Sequence, residues 1–278
     1  MTEVYSIQNK KRFLIKATYF LIILNAILFF LLLLAQVFLP NIFSYLALTP
    51  ILIIQGKYLW TLVTSLFVHA SFSHLFFNMI SLFFLGSIVE KIIGKKRFIA
   101  FYLVSGILAG LFFSLLAGFF GNGIGEKIFG SPVSSGVGAS GAIFALVGVL
   151  TILIPKKKIY LIAGPLVAIV LQSILGLVFS GNPILNVFDV VISVYIIFSM
   201  FSIISFNPKL QKYALPLQLS FWILPFISIV PLVIIGLFFS LPIGNMAHLG
   251  GLLAGIGYGI YLKNKYHNKT KYLREYFK

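Results

Sequence analysis

The chain has 278 residues, 60% hydrophobic and 9% charged, with a mean hydropathy of +1.08. An ordinary soluble domain carries about 25% charged residues on its wet surface, so this composition excludes a soluble globule and predicts an all-α polytopic membrane protein. The absence of cysteine removes disulfides, thiolate metal sites and a cysteine nucleophile, and the net charge of +16 falls in short loops between apolar runs, where it reads as orientation in a bilayer and not as a nucleic-acid surface.

Crossing about 30 Å of hydrocarbon takes about 20 apolar residues in a helix, whose backbone groups are satisfied internally. By that rule the sequence predicts eight spans, at about 13 to 39, 72 to 93, 97 to 120, 138 to 154, 159 to 180, 184 to 206, 214 to 240 and 245 to 262. The first follows Lys10, Lys11, Arg12 and Lys16 and is too long for a secretory h-region, so it reads as an anchor. Residues 40 to 71 are apolar enough to suggest a ninth span, but Pro40, Pro50 and Gly56 break the run. With Tyr58 and Trp60, the stretch reads as an interfacial segment on the outer leaflet.

Eight alternating spans from a cytoplasmic N-terminus leave only Lys57 and Lys127 on the outer side, as the positive-inside rule requires. The expected organisation is a cytoplasmic tail over 1–12, a membrane domain over 13–262 and a basic cytoplasmic tail over 263–278, in a multi-pass protein of the cell membrane with both termini inside. The 138 to 154 run is short for a span, so its N-terminal end is expected below the outer surface.

Three polar clusters open apolar segments on that same outer side: His74-Leu75-Phe76-Phe77-Asn78, Gly138-Ala139-Ser140-Gly141 and Ala247-His248-Leu249-Gly250-Gly251. A serine hydroxyl is a weak nucleophile at its own pKa, and an imidazole that takes its proton activates it. His248 is the candidate base for Ser140. The resulting oxyanion needs preorganised donors, for which the N–H groups at the start of the serine helix and the side chains of His74 and Asn78, four residues apart on one helix face, are suited. Gly251, Gly255 and Gly259 form one small-residue ladder, and Gly141, Ala145 and Gly148 a second. Such stripes let membrane helices approach closely, which a Ser-His hydrogen bond across two helices requires.

At these residues the chain resembles the rhomboid family of intramembrane serine proteases, whose pattern is Gly-x-Ser-Gly on one span, Ala-His-x-x-Gly-x-x-x-Gly on the last and His-x-x-x-Asn on an earlier one. All three stand here, as Gly138 to Gly141, Ala247 to Gly255 and His74 to Asn78. The stretch from Gly56 to His69 and the residues Gly86, Glu90 and Gly94 agree as well. The resemblance covers about 50 to 155 and 236 to 262. It implies a rhomboid-like six-helix core with two additional helices, a Ser140–His248 dyad, His74, Asn78 and the Ser140 backbone at the oxyanion, transmembrane protein substrates, contact with membrane lipids, and no cofactor.

Three departures stand out. Thr61 follows Trp60 where the family often has arginine, and Phe144 stands where many members place a tyrosine that stacks on the catalytic histidine. Three spans, where the family has one, separate the serine and histidine helices; the odd number returns His248 to the side of Ser140. Of the three, 214 to 240 leads directly into the histidine helix and is favoured as the gate-like span.

The competing readings are a non-catalytic rhomboid-like protein that binds membrane segments, against which Ser140 and His248 both argue, and a small-solute transporter using Asp189 and Gln172, weakened by the lack of an inverted repeat. Asp189 lies within a span, where a carboxylate is costly; pairing with Asn186 or Gln172, or a place near the interface, is preferred to an ion path. Glu90 reads as a packing or interface carboxylate, His69 as structural near the site, and His267 as solvated. Histidines so scattered form no metal constellation.

Overall fold

The structure is a computed structural model, which describes residues 16–179, 184–205, 207–238 and 244–276. The expected tail over 1–12 lies outside them. The long elements, in chain order, are α1 (Ala17–Phe38), α2 (Phe72–Ile93), α3 (Lys95–Phe120), α4 (Ser140–Leu153), β1 (Lys158–Ile162), α5 (Ala163–Val178), α6 (Ile184–Ile204), β2 (Pro216–Ser220), α7 (Leu224–Phe238), α8 (Asn245–Lys265) and α9 (His267–Tyr276). It is an all-α membrane architecture with one small two-stranded antiparallel sheet. Among the described residues α1, α2 and α3 are long and apolar enough to cross a bilayer, while α4, α5 and the middle of α6 are shorter apolar helices.

α4 is the centre. Gly141, Ala142, Ala145, Leu146, Gly148, Val149, Leu150 and Leu153 are all buried, and the helix is enclosed by α2, α3 and α8. Its contact with α8 runs backbone against backbone. A Cβ on Gly251 would overlap the Gly141 carbonyl, and one on Gly255 the Ala145 carbonyl. On the other side, a Cβ on Gly141 would sit 2.7 Å from the Ala109 Cβ of α3. The stripes read from the sequence are therefore the contact surfaces themselves, as close packing between membrane helices demands.

The stretch from 40 to 71 contains only short helices, Ile42–Leu46, Pro50–Ile54 and Thr61–Thr64, followed by a 3-10 turn over Ser65–Phe67. None is long enough to span. Trp60 Nε1 donates to the Tyr45 carbonyl at 2.9 Å, Thr64 Oγ1 donates to the Leu46 carbonyl at 2.8 Å, and Leu48 and Ile53 pack with Phe113, Ala117 and Met246.

Two predicted helix starts are corrected. Residues 158–162 and 216–220, expected at the beginnings of the 159 to 180 and 214 to 240 spans, pair instead as antiparallel strands, with Lys158 opposite Ser220 and Ile162 opposite Pro216. Pro216 follows Leu215, which takes a left-handed φ of 48°, so the chain enters extended and α7 begins only at Leu224. The strand pair is tied to the far end of α4: Phe221 N–H donates to the Lys157 carbonyl, and Thr151 Oγ1 donates to the Phe221 carbonyl. α5 and α6 pack against each other, and Ala168, Ile192, Ile196 and Met200 meet Phe76 and Phe77 of α2. α7 packs on α8, on α4 and on the short helix Glu126–Phe129. Asp189 is half-buried on α6, and the side chain of Asn186 lies outside the described residues.

Glu90 has a definite structural task. Its carboxylate accepts the Ala17 N–H at 2.7 Å, the Thr18 N–H at 2.9 Å and the Thr18 hydroxyl at 2.7 Å. Lys16, at the N-cap position of α1, makes no side-chain capping bond, so a carboxylate from α2 closes the positive end of α1. Replacing Glu90 with alanine leaves those buried donors without an acceptor and is expected to lower stability by about 1–3 kcal/mol, read as a drop in Tm of the purified protein in detergent.

Candidate active site

Ser140 is the first residue of α4. The turn that delivers it is held by backbone bonds to the outer stretch: Leu48 and Gly136 exchange N–H and carbonyl at 3.0 and 2.7 Å, and Gly138 N–H donates to the Ser65 carbonyl at 2.8 Å. Gly138 adopts φ +115°, a region that side chains with a Cβ rarely enter. That conformation turns the chain sharply into the helix.

His248 lies in the first turn of α8, which begins at Asn245. The glycine contacts between α4 and α8 bring its Nε2 to 2.8 Å from Ser140 Oγ, across 108 residues of sequence. Phe144, one turn along α4 from Ser140, stacks on the imidazole with centroids 4.3 Å apart and planes 9° from parallel. Nδ1 of His248 is buried and has no hydrogen-bond partner among the described residues. The ring is therefore oriented by the Phe144 stack and by its place on the helix, with no carboxylate behind it. If Nε2 accepts the serine proton, Nδ1 carries the ring hydrogen.

His74 and Asn78 converge beside the same turn. A Cβ on Gly138 would fall 2.6 Å from His74 Nε2 and 3.5 Å from Asn78 Nδ2, so both side chains close on the space that a larger residue would fill. Asn78 is 7% exposed, and its Nδ2 donor has no partner among the described residues. Buried donors are nearly always satisfied; an unpaired one beside a serine–histidine pair marks a place where an acceptor has something to gain. Ser71 caps α2 by accepting the His74 N–H at 3.1 Å, which sets the start of the helix carrying both residues.

The structure thus brings together Ser140, His248, His74, Asn78, Gly138 and Phe144, with Gly141, Gly251 and Gly255 as the packing that permits it. Its reach extends to His69, which the sequence left as structural. That ring is buried and meets His74 edge-on at 5.1 Å, and burial first, then the neighbouring His74, push its pKa down to about 3. His69 is therefore neutral near pH 7. The Ser65 carbonyl and the Leu48–Gly136 bridge had no sequence signal, since they are backbone contacts between distant loops. His267 and Asp189 lie on α9 and α6, outside this constellation.

Removing the Phe144 ring is expected to destabilise the fold through loss of a stacked pair, worth about 0.5–1.5 kcal/mol beyond its buried area. Phe144→Tyr, which keeps the ring, should leave the Tm close to that of the parent protein, whereas Phe144→Ala should lower it.

Comparison with known proteins adds an independent line. The family model described as the Rhomboid domain matches residues 56–193. YdcA of Bacillus subtilis (strain 168) is 36% identical over 90 residues, 32% of this chain and 39% of that protein. Rhomboid protease GluP of the same organism is 33% identical over 111 residues, 40% of this chain and 19% of the relative. RHOMBOID-like protein 5 of Arabidopsis thaliana is 37% identical over 102 residues, 36% of this chain and 29% of that protein. The aligned stretches thus span well under half the length of each relative. The match to residues 56–193 includes His74, Asn78 and the Gly138–Gly141 turn but stops before α8, whose His248 is joined to Ser140 by tertiary contact. With motif, domain match and relatives in agreement, residues 56–193 form a domain of the rhomboid family.

Proposed function

We propose that this chain is an intramembrane serine endopeptidase that hydrolyses peptide bonds in or near the transmembrane segments of other membrane proteins. The observation that carries the reading is the 2.8 Å contact between Ser140 Oγ and His248 Nε2. It is made by α4 and α8, whose glycines let the two backbones approach closely, at the ends where both helices begin.

In this reading the Ser140 oxygen attacks the scissile carbonyl as its proton passes to His248 Nε2. The negative charge that develops on the carbonyl oxygen is met by the Asn78 amide, the His74 imidazole and the N–H groups at the start of α4. Such donors act strongly where water is scarce. Collapse of the tetrahedral intermediate breaks the C–N bond, and His248 returns the proton to the leaving amine. Water, activated by the same imidazole, then hydrolyses the acyl-serine ester. Every proton is accounted for by one histidine.

A substrate helix hides its carbonyls in its own hydrogen bonds, so it must unwind before Ser140 can reach one. Small or helix-breaking residues near its end are therefore preferred. We assign α7 as the gate-like span, because it packs on α8 and α4 while α5 and α6 form a separate pair against α2. The protein is read as an eight-span membrane protein with both termini in the cytoplasm, its basic loops inside.

Cleavage of a single-span substrate by the purified protein in lipid vesicles tests the reading. Ser140→Ala and His248→Ala are each expected to reduce the rate by at least about a thousandfold, and Asn78→Ala or His74→Ala by about a hundredfold. Retention of cleavage in either dyad variant, with Tm unchanged, would overturn the mechanism.

A further inference from the structure

Beyond the Ser140 site, positive charge gathers where α8 turns into α9. From His248 the helix continues 17 residues to Lys265, about 25 Å at 1.5 Å per residue. This end therefore lies at the bilayer surface opposite the serine, at the level of lipid headgroups. There α9 folds back under the core. Thr270 is buried, and Tyr266 and Leu273 pack against the main apolar cluster. Arg274 Nη2 donates to the carbonyl of Ile152, in the last turn of α4.

The same guanidinium has a second donor, Nε, that is buried and lacks any acceptor among the described residues. It borders a cleft of about 200 Å³ lined by Lys263, His267, Thr270, Lys271, Arg274 and Glu275. Three cations and an imidazole thus face one carboxylate. The Thr270 hydroxyl is already engaged with the Tyr266 and His267 carbonyls. Further positive charge stands close by, with Arg97 over the Tyr266 ring at 5.6 Å and Lys265 over the same ring at 5.9 Å. Glu90 is committed to the end of α1. A guanidinium with a donor left unpaired among the described residues, on a cleft shared with the ammonium groups of Lys263 and Lys271, favours an anion with several oxygens, which a phosphate supplies.

We propose that this cleft binds the phosphate of an anionic phospholipid headgroup and thereby fastens α9 beneath the inner end of the serine helix. The headgroup is preferred to soluble phosphate because the cleft opens at membrane-surface depth, where basic pockets at helix ends meet a high local concentration of lipid phosphate.

The test uses the full chain in nanodiscs of phosphatidylcholine, with phosphatidylglycerol titrated in and backbone hydrogen exchange of residues 266–276 as the readout. Phosphatidylglycerol is expected to slow exchange in α9. Lys263→Gln and Lys271→Gln should each raise the half-saturating lipid fraction about fivefold, while exchange in α4 stays slow and shows the fold intact. Equal protection in phosphatidylcholine alone, or a titration unchanged in the double variant, would overturn the site. The same protection from millimolar inorganic phosphate in phosphatidylcholine discs would overturn the lipid assignment in favour of a soluble anion.

Discussion

The contact of α4 with α8 is the constraint on which the remaining geometry depends. Apolar side chains gain little by leaving lipid for one another, so membrane helices associate through close packing and polar contacts. Here Gly251 and Gly255 leave room for the Gly141 and Ala145 carbonyls. That separation is set by backbone atoms and does not vary with side-chain rotamers. The position of His248 over Ser140 follows from it, as does the parallel stack of Phe144 on the imidazole. A ring fixed by a helix and an aromatic face needs no carboxylate to hold its orientation, although its Nδ1 has no partner among the described residues.

The unpaired donors of the site share one physical character. Asn78 Nδ2 and His248 Nδ1 are buried and without a partner among the described residues, and each such group costs about 1–3 kcal/mol. A fold retains that cost when the surrounding packing overdetermines the position. Around Ser140 the overdetermination comes from two directions. The outer stretch grips the turn through Ser65 and Leu48, and α3 and α8 enclose α4 from both sides. The polar groups are held ready while the apolar framework supplies the stability.

The segment between the serine and histidine helices is tied back to the core at the end remote from the site. The domain match ends at residue 193, yet α8 lies where the glycine stripes demand. The segment is anchored at the end of α4 remote from Ser140, by the β1–β2 pairing and by the Thr151 bond to the Phe221 carbonyl. α5 and α6 then lean on the outer aromatic face of α2. Long excursions cost little in loop entropy, provided that their ends are tied, and here both ends are tied to one helix.

The sequence by itself determined the class of molecule, the position of most helices and the identity of the polar clusters. Apolar runs of bilayer length, basic loops and short motifs are local properties that need no folding to be read. It also determined which faces would meet, since the glycine ladders are visible at their four-residue spacing. It misjudged residues 158–162 and 216–220 because a two-stranded pairing depends on a partner nearly sixty residues away, and an apolar strand looks like the start of an apolar helix. It read His69 as structural near the site and Glu90 as a packing or interface carboxylate but named no partner for either, because those partners, His74 across a turn and the N-terminus of α1, are defined only by the packed chain. Tertiary structure alone decided the 2.8 Å separation of Ser140 and His248. A hydrogen bond between residues 108 positions apart is specified by the distance between two helix backbones, a quantity that no local pattern carries.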